Sequence, residues 1–141
     1  MGDTKLRIKF VKEWDKQDII LLYKGSGWWK DHYDPEEIKK IIKHSYAFAV
    51  AINESGHAIG MGRIISDGVS DGYIQDLTVL PSYRKKGIGS LLLQTLIKKC
   101  KDDNIAWVAL LAEPGTSDFY KPFGFKPLKE YTPMKLKEGK I

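Results

Sequence analysis

The stretch PSYRKKGIGSLLL, residues 81–93, constrains the fold more than any other part of the chain. It lies between an extended apolar segment and an apolar helix, and it carries three consecutive cations and two closely spaced glycines: Arg84, Lys85, Lys86, Gly87 and Gly89. The first amides of a helix have no intrahelical partners and lie at the positive end of the macrodipole, so this junction attracts anions. Glycine also lets the backbone approach phosphate oxygens closely. The stretch therefore predicts a phosphate site on a strand-to-helix connection, the alternative being a plain connection with surface lysines.

Two common phosphate motifs do not fit this stretch. It lacks the Gly-Lys-Ser/Thr ending of a nucleoside-triphosphate loop, and Gly87–Leu92 lacks the third glycine of a dinucleotide fingerprint. The sequence therefore indicates neither ATP hydrolysis nor NAD binding.

Apolar periodicity along the rest of the chain predicts a mixed α+β fold. Strands are expected at residues 5–11, 46–52, 57–65, 73–80, 105–111 and 131–136, and helices from Asp15, from Asp34, over 87–101 and over 116–121. A strand, a helix and a strand in this spacing imply a parallel crossover, so antiparallel strands should be followed by a parallel pair. The inward face of the long helix should consist of Ile88, Leu91, Leu92, Leu96 and Cys100. Trp107 is expected in the core.

The size and composition of the chain limit the kinds of protein it can be. Its 141 residues suit a single domain over residues 1–141, and 43% hydrophobic with 29% charged residues is an ordinary soluble mixture. No apolar run reaches the roughly 18 residues of a membrane span, and the first residues lack the apolar centre of a secretory signal. The single cysteine and the three widely spaced histidines favour a reducing compartment and no metal site. We therefore expect a cytoplasmic protein with no membrane partner.

The charge of the chain is compatible with more than one kind of ligand. A net charge of +5 attracts polyanions, but it equally suits one small phosphate-bearing ligand. The lysines that crowd the C-terminal end favour a solvated basic face, because no groove-reading motif and no interleaving of aromatic and basic residues accompanies them. We therefore expect no nucleic-acid partner.

Two motifs resemble those of one known family. Arg84–Gly89 (RKKGIG) resembles the Arg/Gln-x-x-Gly-x-Gly/Ala signature of the GCN5-related N-acetyltransferases (GNAT), and Asp76–Pro81 precedes it as in that family. Asp118–Phe125 (DFYKPFGF) resembles the family's Phe-Tyr-x-x-x-Gly-Phe segment. Four further segments resemble the branch of small bacterial acetyltransferases and of plant chloroplast enzymes that acetylate serotonin-like amines or protein lysines: Ser26–Trp28, Ser45–Tyr46, Gly60–Arg63 and Ser66–Asp67.

This resemblance implies the GNAT fold, with a mixed, mostly antiparallel sheet of about six or seven strands, a parallel pair around the cofactor and about four helices. It implies acetyl-CoA as cofactor and acetyl transfer to a primary amine of a small molecule or of a lysine side chain. The alternative is a non-catalytic sensor of coenzyme A. Relatives are often dimers, so a homodimer is also possible. The residues expected to bind the cofactor are Leu77, Thr78, Val79, Arg84, Lys85, Lys86, Gly87, Ile88, Gly89, Ser90 and Phe119.

Within that cofactor set the resemblance assigns separate tasks to two segments. Backbone amides from Lys85 to Ser90 are expected to hold the pyrophosphate. The pantetheine arm is expected to pair, like an added strand, with the open backbone of Leu77–Val79.

Two residues are the candidates for proton transfer. Tyr120 occupies the family's position for the group that protonates the leaving thiolate, a role that a phenol can fill. Asp76, a carboxylate in an otherwise apolar strand, is either the base or amine anchor or an acceptor for loop amides, and Asp67 competes for the same role. Two departures from the family pattern affect this region. Pro122 predicts a short or bent helix, and Glu113 replaces the Asn of many relatives.

The acceptor amine is expected to meet an aromatic pocket. Its candidate residues are Trp28, Trp29, Tyr33, Tyr46 and Asp67. Such a pocket suits an aromatic or long aliphatic amine, the alternative being ordinary core packing of the tryptophans. Arg63 is expected to pair with Asp67 or Asp76, or to meet an acidic group of the substrate.

Overall fold

The computed structural model describes residues 6–137, and it divides the chain after Leu110 into two compact units. In the first unit the elements are β1 (Arg7–Phe10), α1 (Lys16–Gly25), α2 (Glu37–His44), β2 (Ala47–Ile52), β3 (Ala58–Ser66), β4 (Asp71–Val79), α3 (Ile88–Asp102) and β5 (Trp107–Leu110). The second unit contains α4 (Ser117–Tyr120), followed by a 3-10 turn over Lys121–Phe123. None of the helices described here is long and apolar enough to cross a membrane.

The sheet lies entirely in the first unit. Its strand order is β1-β2-β3-β4-β5, with antiparallel pairing throughout except between β4 and β5, which are parallel. This confirms the mixed α+β fold and its parallel pair. The strand count differs, because residues 6–137 form five strands rather than six or seven. The strand expected over residues 131–136 is absent, and Pro133 within it has no amide to give to a ladder.

Helix α3 packs against one face of the sheet, at positions where the strands carry glycine. A Cβ added to Gly60 would lie 2.9 Å from Leu92 Cδ1, and one added to Gly62 would lie 2.8 Å from Leu96 Cδ1. These glycines therefore let the leucine stripe of α3 approach the backbone closely. The close fit sets the course of the helix, and with it the position of its N-terminus beyond the end of β4.

Two expectations about inward-facing residues are wrong. Leu91 is 46% exposed while Leu93 is fully buried, so the apolar stripe of α3 lies toward Leu93. Trp107 is 43% exposed, because it begins the short outermost strand of the sheet. Cys100, by contrast, is buried in the core as expected.

Helices α1 and α2 cover the other face of the sheet. Their buried side chains form one core with residues of β2 and β3: Ile19, Leu22, Tyr23, Ile38, Ile42, Phe48, Val50, Ile52 and Met61. Asp15 caps α1 through a 3.0 Å bond from the Gln17 amide, and the helix ends at Gly25 as expected. The regular part of α2 begins at Glu37, after the predicted start at Asp34.

One carboxylate is buried at the first turn of α1. Asp18 accepts bonds from Trp14 Nε1 at 3.0 Å and from the Ala58 amide at 2.9 Å, and its other oxygen lies 3.1 Å from His57 Nδ1. Burial by itself raises the pKa of Asp18, but these donors lower it by more, so the net pKa lies below the ordinary value. Asp18 thus ties α1 to the start of β3 as an ionised side chain.

Candidate functional site

The connection between β4 and α3 leaves a row of backbone amides available. Lys85 and Gly87 have left-handed backbones, with φ of 63° and 84°. The first α-helical bond runs from the Leu91 amide to the Gly87 carbonyl at 3.1 Å, and no side chain caps the helix. Within residues 6–137 the amides from Lys85 to Ser90 have no hydrogen-bond acceptor. A Cβ added to Gly87 would meet nothing within 4 Å, so the approach to these amides is open in that direction.

The three cations of this connection have different surroundings. Arg84 donates from Nε to the Val79 carbonyl at 2.9 Å and from Nη2 to the Gly25 carbonyl at 3.2 Å. Arg84 therefore fastens the end of α1 to the end of β4. Lys86 places Nζ 5.6 Å from the centre of the Tyr83 ring, and Lys85 is exposed. The two lysines are thus the cations of this connection that no backbone carbonyl within residues 6–137 binds, and they can meet a phosphate group from solvent.

A β-bulge interrupts β4 immediately before this connection. Met61 of β3 is paired with Thr78 and Arg63 with Gln75, so that Asp76 and Leu77 together lie opposite the single residue Gly62. Asp76 takes the left-handed conformation, with φ of 56°, which is uncommon for a residue other than glycine. The bulge brings the Asp76 side chain to the α1 face of the sheet, while Leu77 lies against α3.

The backbone of β4 beyond the bulge has a free edge within the first unit. Pairing between β4 and β5 runs from Asp71 with Trp107 to Ile74 with Leu110, and stops there. As far as the first unit is described, Leu77–Val79 therefore pairs with no strand other than β3, although the Val79 carbonyl accepts from Arg84 Nε. An unpaired strand edge offers donors and acceptors to a ligand that carries amides of its own.

Asp76 is the centre of a hydrogen-bond network on the α1 face. Its Oδ2 accepts from Tyr23 Oη at 2.8 Å and from Arg63 Nε at 2.7 Å. Arg63 also reaches Ser45 Oγ at 3.4 Å. Of the two partners proposed for Arg63, the structure thus selects Asp76, and both side chains are about one-fifth exposed, at 17% and 20%. Burial, followed by the charge of Asp76, raises the pKa of Tyr23.

The predicted acceptor residues fall into two groups. Trp28 and Trp29 lie beside Tyr23, with ring centres 6.3 and 6.5 Å away, and Tyr33 meets Trp29 edge-on at 5.4 Å. These three aromatic residues are therefore continuous, through Tyr23, with Asp76. Tyr46 is not part of this cluster, because its hydroxyl bonds Asp103.

Asp67 lies in the β3–β4 turn rather than in the Asp76 network. It accepts from the Ser70 amide at 3.0 Å and from the Val69 amide at 2.7 Å, and these bonds lower its pKa. Its carboxylate is thus engaged in shaping an exposed turn.

The second unit carries the tyrosine expected to act as the acid. Tyr120 ends the four-residue helix α4, and its ring packs edge-on against Phe119 and Phe125, at 5.0 and 6.0 Å. The helix is short and passes into a 3-10 turn at Pro122, as that proline predicted. Burial raises the pKa of Tyr120, and the charge of Glu113 raises it further. The phenol is therefore protonated at neutral pH.

Two contributions to the site were not foreseen in the sequence. Tyr23 was expected only as one apolar position of α1. The sign of a polar role that the sequence offered was its hydroxyl, on the face of the helix nearest the sheet. Arg84 is still predicted to meet the cofactor, and its guanidinium also binds two backbone carbonyls, a role that the sequence did not indicate. Arginine is suited to binding two carbonyls at once, because its planar guanidinium holds several N–H donors in fixed directions.

Comparison with known proteins gives consistent matches. Residues 9–125 match the family model described as the acetyltransferase (GNAT) family. The GCN5-related N-acetyltransferase 1, chloroplastic, of Arabidopsis thaliana is 30% identical over 93 residues, which is 65% of this chain and 47% of that protein. The serotonin N-acetyltransferase 2, chloroplastic, of Oryza sativa subsp. japonica is 27% identical over 93 residues, which is 64% of this chain and 46% of that protein. The chain thus spans about half the length of these curated relatives.

Solved structures are similar over nearly the whole chain. A GNAT family acetyltransferase from Streptococcus pneumoniae has a TM-score of 0.79 at 29% identity, covering 96% of this chain and 99% of that one. The glucosamine-6-phosphate N-acetyltransferase of Arabidopsis thaliana has a TM-score of 0.73 at 18% identity, covering 96% of this chain and 99% of that one. The second similarity concerns the fold alone.

Proposed function

The chain belongs to the acetyltransferase (GNAT) family, as its motifs predicted, and we propose that it transfers the acetyl group of acetyl-CoA directly to a primary amine. The family implies acyl transfer from acetyl-CoA. The observation that carries the finer proposal is the combination of available amides from Lys85 to Ser90 with a free edge on Leu77–Val79. One row of donors suits a diphosphate, and the other suits the amide-bearing arm of the same molecule.

The residues of the β4–α3 connection fit the phosphate end of acetyl-CoA. Gly87 leaves room above the first turn of α3, and the positive end of the helix macrodipole adds to the charges of Lys85 and Lys86. When bound, acetyl-CoA supplies an activated thioester with a thiolate leaving group. Arg84 stabilises this connection through its bonds to the backbone, which hold the end of β4 and the end of α1 in place.

The amine must lose a proton before it can attack. A lysine-like amine with a pKa of about 10.4 is neutral in roughly one molecule in 2,500 at pH 7, equivalent to about 4.6 kcal/mol. Asp76 is the carboxylate that we propose to meet this amine, directly or through water, because it is part-buried and carries an oxygen with no partner within residues 6–137. Correct orientation of the two reactants contributes up to roughly 7–11 kcal/mol more.

The acceptor class follows from the aromatic residues next to Asp76. Trp28, Trp29 and Tyr33 form a continuous surface that reaches the carboxylate through Tyr23. We propose an amine attached to a flat or long apolar group, either a free molecule or a lysine side chain. The relative named serotonin N-acetyltransferase is consistent with this class.

Tyr120 is proposed to give a proton to the leaving thiolate. A thiol pKa near 8.5 makes the thiolate a tolerable leaving group without help, so the acid accelerates turnover rather than enabling it. The Tyr120→Phe variant should therefore keep its affinity for acetyl-CoA and lose roughly 10- to 100-fold in kcat. The single-domain organisation, a homodimer and a cytoplasmic location stay predictions.

The test is a turnover screen. Release of free coenzyme A is measured against a panel of arylalkylamines, polyamines, amino sugars and lysine peptides, with acetyl-CoA binding measured by calorimetry in parallel. We expect turnover with arylalkylamines or lysine peptides. Tight acetyl-CoA binding with no turnover on any amine would contradict the proposal and favour a coenzyme A sensor.

A further inference from the structure

We propose that Tyr23 and Arg63 are positioning residues that hold one oxygen of Asp76 so that the other faces the acceptor amine. This proposal rests on the proposed function, in which Asp76 is the group that meets the amine. Both donors converge on Oδ2, at 2.8 and 2.7 Å. Within residues 6–137, Oδ1 accepts no hydrogen bond.

The left-handed backbone of Asp76 is consistent with a side chain that is fixed by its surroundings. Its φ of 56° is a conformation that residues with a Cβ rarely adopt. Such conformations persist where the surroundings determine them from several sides, and they concentrate at functional sites. Here the two donors come from different elements, Tyr23 from α1 and Arg63 from β3. The carboxylate is thus fixed relative to both.

The network extends beyond the two donors to the end of α2. Arg63 Nη1 lies 3.4 Å from Ser45 Oγ, which itself donates to the Ile41 carbonyl at 2.6 Å. Lys12 also reaches this point, with its Nζ donating to the Ser45 carbonyl at 2.9 Å. The guanidinium of Arg63 is therefore oriented by polar groups at both ends, and its charge balances that of Asp76.

Tyr23 is suited to a purely donating role. Its ring is 8% exposed and packs in the α1 core, so it has little freedom to move. Its raised pKa keeps the hydroxyl protonated, and an O–H donor to an ionised acceptor is a strong hydrogen bond. A tyrosine that served only as packing would lose nothing specific on replacement by phenylalanine, because the ring is retained.

The Tyr23→Phe variant therefore separates positioning from packing. We expect kcat/KM for the amine to fall roughly tenfold or more, from the loss of one hydrogen bond to a charged group. The KM for acetyl-CoA should stay within about twofold, and the circular dichroism spectrum should be unchanged. The matched control is Tyr73→Phe, on the exposed side of β4 at 43% exposure, which should leave both constants as in the wild type.

A double-mutant cycle tests whether Tyr23 acts through Asp76. Asn at position 76 keeps an acceptor oxygen and tolerates the left-handed backbone but loses the charge. Adding Tyr23→Phe to Asp76→Asn should lower kcat/KM by less than about twofold, because the group that Tyr23 positions has lost its function. If the losses in kcat/KM of the two single variants multiplied in the double variant, as they do for independent sites, the proposal would be overturned.

Arg63 gives a second, independent measurement. Arg63→Lys, which keeps the charge, should recover part of the amine kcat/KM that Arg63→Gln loses, and the pH profile of kcat/KM should change in Arg63→Gln. Two results would overturn the positioning roles while leaving the acetyltransferase intact: an active Tyr23→Phe enzyme with unchanged amine kinetics, or identical kinetics for the two Arg63 variants. An inactive wild type across the amine panel would overturn the proposed function and this inference together.

Discussion

Two glycines with the same φ angle provide a test of the cofactor loop. Gly87 begins α3 and Gly56 closes the β2–β3 hairpin, yet both have φ of 84° and neither has an atom within 4 Å of an added Cβ. Alanine at either position pays the same conformational penalty, roughly 1–2 kcal/mol. Each variant should therefore lose about 1–2 kcal/mol of unfolding free energy and melt about 3–10 °C lower.

The two variants should differ only in binding acetyl-CoA. Gly87 belongs to the row of amides that we propose to hold the pyrophosphate, so a methyl group there would stand beside that ligand, and a hydrogen bond to a charged group is worth about 1.5–3 kcal/mol. Loss of one such bond raises the Kd of Gly87→Ala about 10- to 150-fold. Gly56→Ala should bind as the wild type does.

The assay is calorimetric titration with acetyl-CoA, accompanied by thermal unfolding of each variant without ligand. Equal shifts in melting temperature would establish that the two substitutions destabilise the fold equally. If Gly87→Ala then bound acetyl-CoA within twofold of the wild type, the amides of this connection would not be the pyrophosphate site. Equal weakening in Gly56→Ala would point to a general loss of structure instead.

Four further substitutions test features of the fold and of the cofactor loop. Asp18→Ala should lower the free energy of unfolding, measured with denaturant, by roughly 2–4 kcal/mol, because it leaves buried donors unpaired. The pKa of Asp18 is lowered in the folded state, so the stability that Asp18 contributes is present above the ordinary carboxyl pKa and is lost as the pH falls through the folded pKa. The unfolding free energies of wild type and variant should therefore converge in acid. Gly62→Ala should cost roughly 1–3 kcal/mol, because its Cβ would lie 2.8 Å from Leu96 Cδ1. Lys85→Gln should reduce the salt dependence of acetyl-CoA binding, whereas Arg84→Gln should lower the melting temperature and leave that salt dependence unchanged.

Local signals predicted those parts of the fold that depend on neighbouring residues. The glycines after the cation triplet located the start of α3, because a left-handed residue before a helix strongly favours glycine. Pro122 shortened α4 for a similarly local reason. Gly25 is the last residue of α1 as expected, but the left-handed glycine that follows the helix is Gly27. The motif around Arg84 identified the family, but not the bonds by which its guanidinium joins two elements.

The features that sequence did not predict depend on distant contacts. Aspartate tolerates the left-handed conformation without requiring it, so nothing local reveals the bulge at Asp76. Its hydroxyl partner Tyr23 is 53 residues away in sequence. Trp107 is exposed because β5, among the residues that the structure describes, pairs with β4 alone, and this depends on the order of the strands in the sheet.

The bulge in β4 also determines which changes of chain length the fold can accept. Side chains alternate along a strand, yet Gly72 before the bulge and Leu77 after it both lie on the α3 side, at positions of opposite parity. Deleting either Asp76 or Leu77 would make the ladder regular and leave the later side chains of β4 on their present sides, but it would remove the extra position from which a carboxylate reaches the α1 face. Homologous sequences should therefore vary in length at the β3–β4 turn and keep the spacing from Asp76 to Gly87 constant.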